Sequence, residues 1–123
     1  MSSRSPRARA ATANPIVEIA AASQYDRLVA QKGRLVALFT SYACKPCGFV
    51  YPAYYQLASK YRGVVFVQVD VEHHDNEKLR ARYGLEQFPV FYFYRGGRKV
   101  DECNHCGGED GKALRARVER LAA

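Results

Sequence analysis

The sequence predicts one α/β domain whose central mixed sheet of four to five strands is flanked by helices on both faces. Residues 35–40 and 64–71 form nearly unbroken apolar runs, which are typical of central strands covered on both sides. Helical apolar patterns separate these early strands, and a Gly-Gly pair marks a hairpin further on. At 123 residues, 48% of them hydrophobic, the chain is long enough to bury one core without disulfides or a metal.

The first half of the chain predicts two strands around a short helix. Residues 17–19 are a plausible edge strand. Tyr25, Leu28 and Val29 then recur at helical spacing between Ser23, a good N-cap, and Gly33, a good C-cap. The apolar run at 35–40 follows directly, so this helix is expected to pack on the sheet.

The second half predicts three helices and three strands. A long helix begins at Cys44, and Pro52 should bend it because a proline there forfeits the bond to the Gly48 carbonyl. Its apolar stripe consists of Val50, Tyr54, Leu57, Ala58 and Tyr61. The later elements are a strand at 64–71, a helix at 76–83 ended by Gly84, a hairpin of 90–94 with 99–104, and a closing helix carrying Leu114, Val118 and Leu121. The predicted order is β-α-β-α-β-α-β-β-α, without repeats or a second domain.

Charge and hydropathy argue against nucleic acid and membrane partners. The formal net charge is +7, but Arg4, Arg7 and Arg9 lie in a tail with no acid before Glu18, which leaves +4 over the folded part. The other basic residues alternate with acids, as on an ordinary solvated surface. No apolar run approaches the ~20 residues that span a bilayer. We therefore expect a monomer without nucleic acid or membrane partners.

Residues 1–15 are predicted to be a disordered basic extension, and residues 16–123 the folded domain. The extension is rich in Ser, Ala and Arg and has no apolar stretch resembling a secretory signal. We therefore expect a cytoplasmic protein in a reducing compartment, where paired cysteines more often serve redox or metal chemistry than structure. The alternative is that the basic tail directs the chain to a mitochondrion or another organelle.

The most informative motif is Cys44-Lys45-Pro46-Cys47, which leaves a predicted strand and opens a helix. Unpaired backbone N–H groups and the positive end of the helix dipole stabilise a thiolate at that position. Lys45 adds a cation, and Pro46 lacks an N–H where the first helical turn offers no acceptor. This arrangement favours thiol–disulfide exchange, with Cys44 attacking and Cys47 resolving the mixed disulfide. Two inert core cysteines or half a metal site are the alternatives.

The chain resembles the thioredoxin family over roughly residues 17–121. The strand before the cysteines, the Cys-x-Pro-Cys motif and Pro52, five residues beyond Cys47, all follow the family pattern. Residues 88–100, which begin Phe88-Pro89-Val90, look like the family's cis-proline strand, Gly turn and next strand. The resemblance implies a thioredoxin fold.

The resemblance also implies an activity and its participants. These are reduction of protein disulfides through the Cys44/Cys47 dithiol, no cofactor beyond that redox-active disulfide, and a reductase or other dithiol as electron donor. The implied substrate-binding residues are Lys45, Pro46, Phe88 and Pro89. Phe88 precedes the proline, and its bulky side chain is expected to influence which partners dock. We assign no metal site.

Four residues depart from the family pattern around the cysteines. Ala43 stands where the family has a Trp, and Lys45 replaces a Gly. Leu38 replaces the buried Asp that accepts a proton from the inner cysteine in many members, and Gln68 replaces a Lys often paired with that Asp. Without this base we expect a slow or specialised reductase, since general base catalysis is worth ~10²-fold or more. The alternative is a protein that works in the oxidising or isomerising direction.

A second pair, Cys103-Asn104-His105-Cys106, ends the last predicted strand. By the resemblance this end borders the active-site groove. Three uses remain open: an auxiliary redox pair, a zinc site shared with Cys44 and Cys47, or a core residue at Cys103 with an incidental Cys106. His73 and His74 lie in a polar loop, where a solvated turn is favoured over a metal site.

Two functions are compatible with these observations. The first is a thioredoxin-type oxidoreductase, and the second a thioredoxin-like binding module with weak redox activity that docks one specific partner. The retained Cys-x-Pro-Cys motif favours the enzyme, because a scaffold has no physical need for two reactive thiols at a helix start.

Overall fold

A computed structural model describes residues 14–104 and 111–123 of the chain. Over these residues the elements are β1 (Ile16–Glu18), α1 (Ala22–Ala30), β2 (Arg34–Thr40), α2 (Lys45–Lys60), β3 (Val64–Asp70), a 3₁₀ turn (His74–Asn76), α3 (Glu77–Tyr83), β4 (Val90–Arg95), β5 (Arg98–Asn104) and α4 (Lys112–Ala122). The predicted element order is confirmed, with the 3₁₀ turn added before α3. The proposed extension at 1–15 falls almost entirely outside the described residues and stays a prediction.

The five strands form one mixed sheet in the order β1-β3-β2-β4-β5. The neighbours β1 and β3 are parallel, as are β3 and β2, whereas β4 is antiparallel to both β2 and β5. The mixed α/β fold is therefore as predicted. The parallel strands β2 and β3 both end at the edge where the cysteine motif begins.

Each face of the sheet has its own apolar core. On one face α2 and α4 cover the sheet, with Leu38, Tyr54, Phe91 and Val118 among the buried residues. On the other face α1 and α3 cover an aromatic group that includes Tyr25, Phe39 and Tyr92. β2 contributes to both cores, which explains its continuous apolar sequence.

Tyr54 fastens helix α2 to the two central strands. Its ring is fully buried, and its hydroxyl lies 2.7 Å from the Val67 carbonyl oxygen and 3.1 Å from that of Val36, to which it donates. Burial raises the pKa of this phenol well above its usual value. The helix that carries the cysteines is thus held to both β2 and β3 from its middle turn, close to Pro52.

The predicted caps of the first helix were wrong. Helix α1 is capped by Ala21 instead of Ser23, and no side chain bonds to the free N–H groups at that cap. The Gln24 side chain instead accepts a bond from the Ala20 N–H at 2.7 Å, outside the helix. The helix ends at Ala30 with Gln31 as its C-cap. Gly33 (φ +139°) belongs to the next turn, where its carbonyl accepts the Gly96 N–H at 2.8 Å.

The other turn predictions agree with the structure. Gly84 ends α3 in the left-handed conformation with φ +60°. Gly96 and Gly97, with φ +62° and +84°, form the tight turn between β4 and β5. Among the described residues, none of the helices has both the length and the apolar character needed to cross a membrane.

Candidate active site

Cys44 is the N-cap of helix α2. Its N–H donates to the Ser41 carbonyl at 2.8 Å, and its sulfur accepts the Cys47 N–H at 3.2 Å. Pro46 follows in the first helical turn, where a missing N–H leaves no acceptor unpaired. The helix start therefore directs a backbone donor at the Cys44 sulfur, which is the predicted way to stabilise a thiolate.

Cys44 and Cys47 form a disulfide, with their Cα atoms 5.5 Å apart. Cys44 is partly exposed, whereas Cys47 keeps only 7% of its accessible surface. This asymmetry suits attack at Cys44 and resolution by Cys47, although the assignment of the two roles stays a prediction. Helix α2 begins at Lys45, whose side chain lies outside the described part of the structure, so its role in substrate binding also stays a prediction.

The Phe88–Pro89 peptide bond is cis, as the resemblance implies. It places the Phe88 carbonyl oxygen 3.5 Å from the Cys44 sulfur, so in the reduced protein the thiol can donate to it. The Phe88 side chain is half-buried and packs against the core under α1 and α3. The backbone of Phe88, more than its ring, therefore faces the reactive sulfur.

A cavity of about 260 Å³ lies beside the disulfide, and none of the described residues that line it is charged. The described residues that line it are Leu38, Thr40, Ser41, Tyr42, Cys44, Cys47, Gly48, Tyr51 and Gln68. Leu38 and Gln68 are direct neighbours across β2 and β3. The residues that replace the family's Asp and Lys therefore line the same cavity as Cys47, and no carboxylate is among the described lining residues.

Gln68 is itself unusual within this cavity. Its side-chain oxygen is buried and has no hydrogen-bond partner among residues 14–104 and 111–123. A buried amide oxygen without a partner carries a desolvation penalty, so a bound water is the simplest way to satisfy it.

Two exposed aromatic residues near the cysteines were missed from sequence. Tyr42 lies in the turn before Cys44 and is 83% exposed, and Phe49, two residues after Cys47, is 74% exposed. A usable signal existed for Phe49, since it falls outside the apolar stripe that begins at Val50. Exposed aromatic side chains next to a reactive sulfur are suited to contact with a protein substrate.

A polar group that could not be predicted from the sequence holds the turn before Cys44. Ser41 is buried, and its hydroxyl donates to Glu72 at 2.8 Å while accepting the Ala43 N–H at 3.3 Å. Ser41 and Glu72 are 31 positions apart, so no local pattern could have paired them.

Cys103 lies in β5 and is half-buried against the core under α2 and α4. It pairs with Phe91, which in turn pairs with Leu38, so the three residues form one row across the sheet. Two strand spacings, on the order of 10 Å, therefore separate Cys103 from Leu38. Its partner Cys106 lies outside the described residues, and the three predicted uses of this pair remain open.

The loop with His73 and His74 remains a weak metal candidate. The potential ligand atoms of His73, His74 and Asp75 all lie within 4.8 Å of one another. All three residues are fully on the surface, and His73 already accepts the Asp75 N–H. The arrangement is that of a solvated turn, which is the interpretation favoured from sequence.

A disulfide that opens a helix, next to a cis-proline and on a mixed five-stranded sheet, defines a class of proteins that exchange thiols for disulfides. Comparison with known proteins agrees with this class. The thioredoxin family model matches residues 16–120, so the chain belongs to the thioredoxin family.

Individual relatives cover most of the chain. Thioredoxin of Rattus norvegicus is 33% identical over 98 residues, which are 79% of this chain and 89% of the rat protein. The TPR repeat-containing thioredoxin TDX of Oryza sativa subsp. japonica is 35% identical over 85 residues, 69% of this chain, but the match spans only 24% of that longer protein. The protein is accordingly a thiol–disulfide oxidoreductase of thioredoxin type.

Solved structures show the same fold. The thioredoxin of Fasciola hepatica superposes with a TM-score of 0.74 at 28% identity, covering 85% of this chain and 98% of the other. The thioredoxin of Malassezia sympodialis gives a TM-score of 0.77 at 23% identity, covering 88% and 91%. The thioredoxin fold predicted from sequence is confirmed.

Proposed function

We propose that the protein reduces disulfides in other proteins and is itself reduced again by a reductase or another dithiol. The observation that carries this proposal is the partly exposed Cys44 sulfur at the start of α2, with the buried Cys47 one helical turn away. The partners are protein disulfides and the electron donor, and no further cofactor is needed for the exchange.

The reaction proceeds in two exchanges of sulfur partners. The Cys44 thiolate attacks one sulfur of the substrate disulfide, so that a mixed disulfide forms and the first substrate thiol leaves. Cys47 then loses its proton and attacks the Cys44 sulfur, which releases the second substrate thiol. The substrate gains two electrons and two protons, and the protein is left with the Cys44–Cys47 disulfide.

The second exchange is the step that we expect to be slow. Cys47 must be deprotonated, and the cavity beside it contains Leu38 and Gln68 instead of a carboxylate. The proton of Cys47 must therefore pass to a weaker acceptor, such as solvent or the substrate thiolate released in the first exchange. We propose a reductase that turns over more slowly than one with an acid at position 38.

Insulin reduction with dithiothreitol as donor tests the activity. Wild-type protein should accelerate insulin precipitation, and Cys47→Ser should instead accumulate a mixed disulfide at Cys44 that mass spectrometry can locate. Tyr55→Phe is a control on the same helix, because Tyr55 is exposed and is not among the residues that line the cavity beside the disulfide. Wild-type protein that is no faster than dithiothreitol alone would contradict the proposal.

The alternative function is a binding module that docks one partner. The exposed Tyr42 and Phe49 favour a binding module, because they can contact a partner protein without any thiol exchange. The cavity beside Tyr42 has no charged residue among those described, so it also suits an apolar contact. A variant with Ser at both Cys44 and Cys47 separates the two. A module keeps its partner after this change, whereas a reductase loses both turnover and covalent capture.

We also propose a cytoplasmic location, with a mitochondrion or another organelle as the alternative. The basic, acid-free composition of residues 1–15 supports the alternative. Fusing residues 1–15 to a fluorescent protein and imaging it in cells distinguishes them, since only a targeting segment moves the fusion out of the cytoplasm.

A further inference from the structure

A chain of polar contacts begins at the turn that carries Cys44. Ser41 holds this turn at two points, because its carbonyl accepts the Cys44 N–H at 2.8 Å and its hydroxyl accepts the Ala43 N–H at 3.3 Å. The same hydroxyl donates to Glu72 at 2.8 Å. Ser41 is only 6% exposed, so the hydroxyl orientation depends on this carboxylate.

Glu72 in turn contacts Arg80 of helix α3. The carboxylate oxygen that accepts from Ser41 lies 3.6 Å from an Arg80 Nη atom. The two side chains are 35% and 42% exposed, and such a pair adds little to folding stability. We therefore expect the Glu72–Arg80 pair to affect mainly the positions of the groups that it connects.

Arg80 also contacts the segment that precedes the cis-proline Pro89. Its Nε donates to the Leu85 carbonyl at 3.3 Å, and its guanidinium carbon lies 5.4 Å from the centre of the Phe88 ring. The guanidinium makes an ion pair, a backbone bond and a ring contact together, because its donors lie on separate nitrogen atoms of one rigid plane. Arg80 thus joins Glu72 to the segment that leads into Pro89.

The contacts close into a ring at the reactive sulfur. Phe88, whose ring contacts the Arg80 guanidinium, also reaches Cys44 through its backbone. Its carbonyl oxygen is 3.5 Å from the Cys44 sulfur. The ring runs from the Cys44 backbone through Ser41, Glu72, Arg80 and Phe88 and returns to the Cys44 side chain. It connects two segments that are 44 positions apart in sequence.

We propose that Glu72 and Arg80 are positioning residues for the exchange reaction, holding the turn of Cys44 at a set distance from the backbone of Phe88. This inference rests on the proposed reductase function. Neither residue touches a reacting sulfur. They act through Ser41 and Phe88 on the gap into which a substrate disulfide must fit.

The test uses Arg80→Met and Glu72→Gln with insulin as substrate. Each change breaks the ring at one point, so we expect the KM for insulin to rise about five- to tenfold while kcat changes less than twofold. The double variant should be no worse than the poorer single variant, because the two residues act through the same ring. A merely structural role would lower kcat through loss of folded protein and leave KM unchanged.

Arg82→Met is the matched control. Arg82 lies on the same helix, is similarly exposed at 41%, and makes a closer ion pair with Asp26, away from the ring. It should keep KM within twofold of wild type. Equal KM values for Arg80→Met and Arg82→Met, or multiplying effects of Arg80→Met and Glu72→Gln, would overturn the proposal.

Alkylation of the reduced protein separates this inference from the reductase function. The rate of Cys44 modification by iodoacetamide needs no protein substrate, and we expect it to change more than threefold in Arg80→Met and Glu72→Gln but not in Arg82→Met. That pattern together with an inactive wild type would support the ring and contradict the reductase. Unchanged alkylation in both ring variants would overturn the ring even where insulin is reduced.

Discussion

Cys44 and Cys103 show how the backbone decides what a cysteine can do. Both lie in Cys-x-x-Cys motifs, and both are partly exposed. Cys44 caps a helix, receives the Cys47 N–H at its sulfur, and has its disulfide partner one turn away. Cys103 lies in a strand, packs on the core and has a backbone carbonyl 3.5 Å from its sulfur. A helix start directs unpaired N–H groups at the side chain of its N-cap, whereas the N–H groups of a strand point along the sheet and its side chains point to the two faces.

The largest expected effect is that of Cys44→Ser. Because the attacking sulfur is removed, insulin turnover should fall at least ~10³-fold, to the level of dithiothreitol alone. Cys103→Ser is the matched control and should keep turnover within twofold. Comparable losses in both variants would show that the helix start is not what distinguishes the two cysteines.

The second-largest change is expected from Leu38→Asp, which should increase insulin turnover. A carboxylate beside Cys47 can accept its proton, so turnover near pH 7 should rise on the order of tenfold. Leu38→Asn, which has a similar shape without the charge, should give no gain. A folded Leu38→Asp protein that is no faster than wild type would show that deprotonation of Cys47 does not limit the rate.

The same variant should also change how stability depends on pH. Burial raises the pKa of a carboxyl group above its unfolded value of about 3.9, so the unfolded state releases its proton first. The free energy of unfolding of Leu38→Asp, relative to Leu38→Asn, should therefore fall as the pH rises from ~4 towards neutrality. Urea unfolding at pH 4.5 and pH 7.5 measures this difference.

A smaller effect is expected from Tyr54→Phe, which tests how the helix of Cys44 is fastened. The change removes the hydroxyl that donates to the carbonyls of Val36 and Val67, and should lower the free energy of unfolding by roughly 1–3 kcal/mol. Tyr55→Phe on the exposed side of the same helix is the control and should change stability by less than ~0.5 kcal/mol.

The smallest effect concerns the second cysteine pair. If Cys103 is a core residue and Cys106 incidental, mild oxidation of metal-free protein removes two thiols, and both map to Cys44 and Cys47. An auxiliary redox pair would remove four thiols, and Cys106→Ser would shift the potential of the first pair. Zinc that co-purifies, with thiols protected until a chelator is added, would indicate the shared metal site instead.

Local sequence patterns were sufficient to predict the helix caps and turns around the active site. The Cys44 cap, Pro46 in the first turn and the left-handed Gly84 each depend on residues within a few positions of one another. The cis bond before Pro89 came from family resemblance, since most X-Pro bonds are trans. Local rules failed at Ser23, because helix α1 packs through Ala22 and Tyr25 and begins where that packing requires.

The amino-acid pattern alone was enough to predict the order of the elements, the burial of the central strands on both faces and the cysteine pair at a helix start. These follow from apolar periodicity and from the backbone groups that neighbouring residues leave unpaired. Two features can be seen only in the folded molecule. Leu38 and Gln68 line one cavity with Cys47, and none of its described lining residues is charged. Ser41, Glu72, Arg80 and Phe88 form a ring of contacts around Cys44. The physical reason is that such contacts join residues far apart in the chain, so they exist only after the sheet and helices have packed.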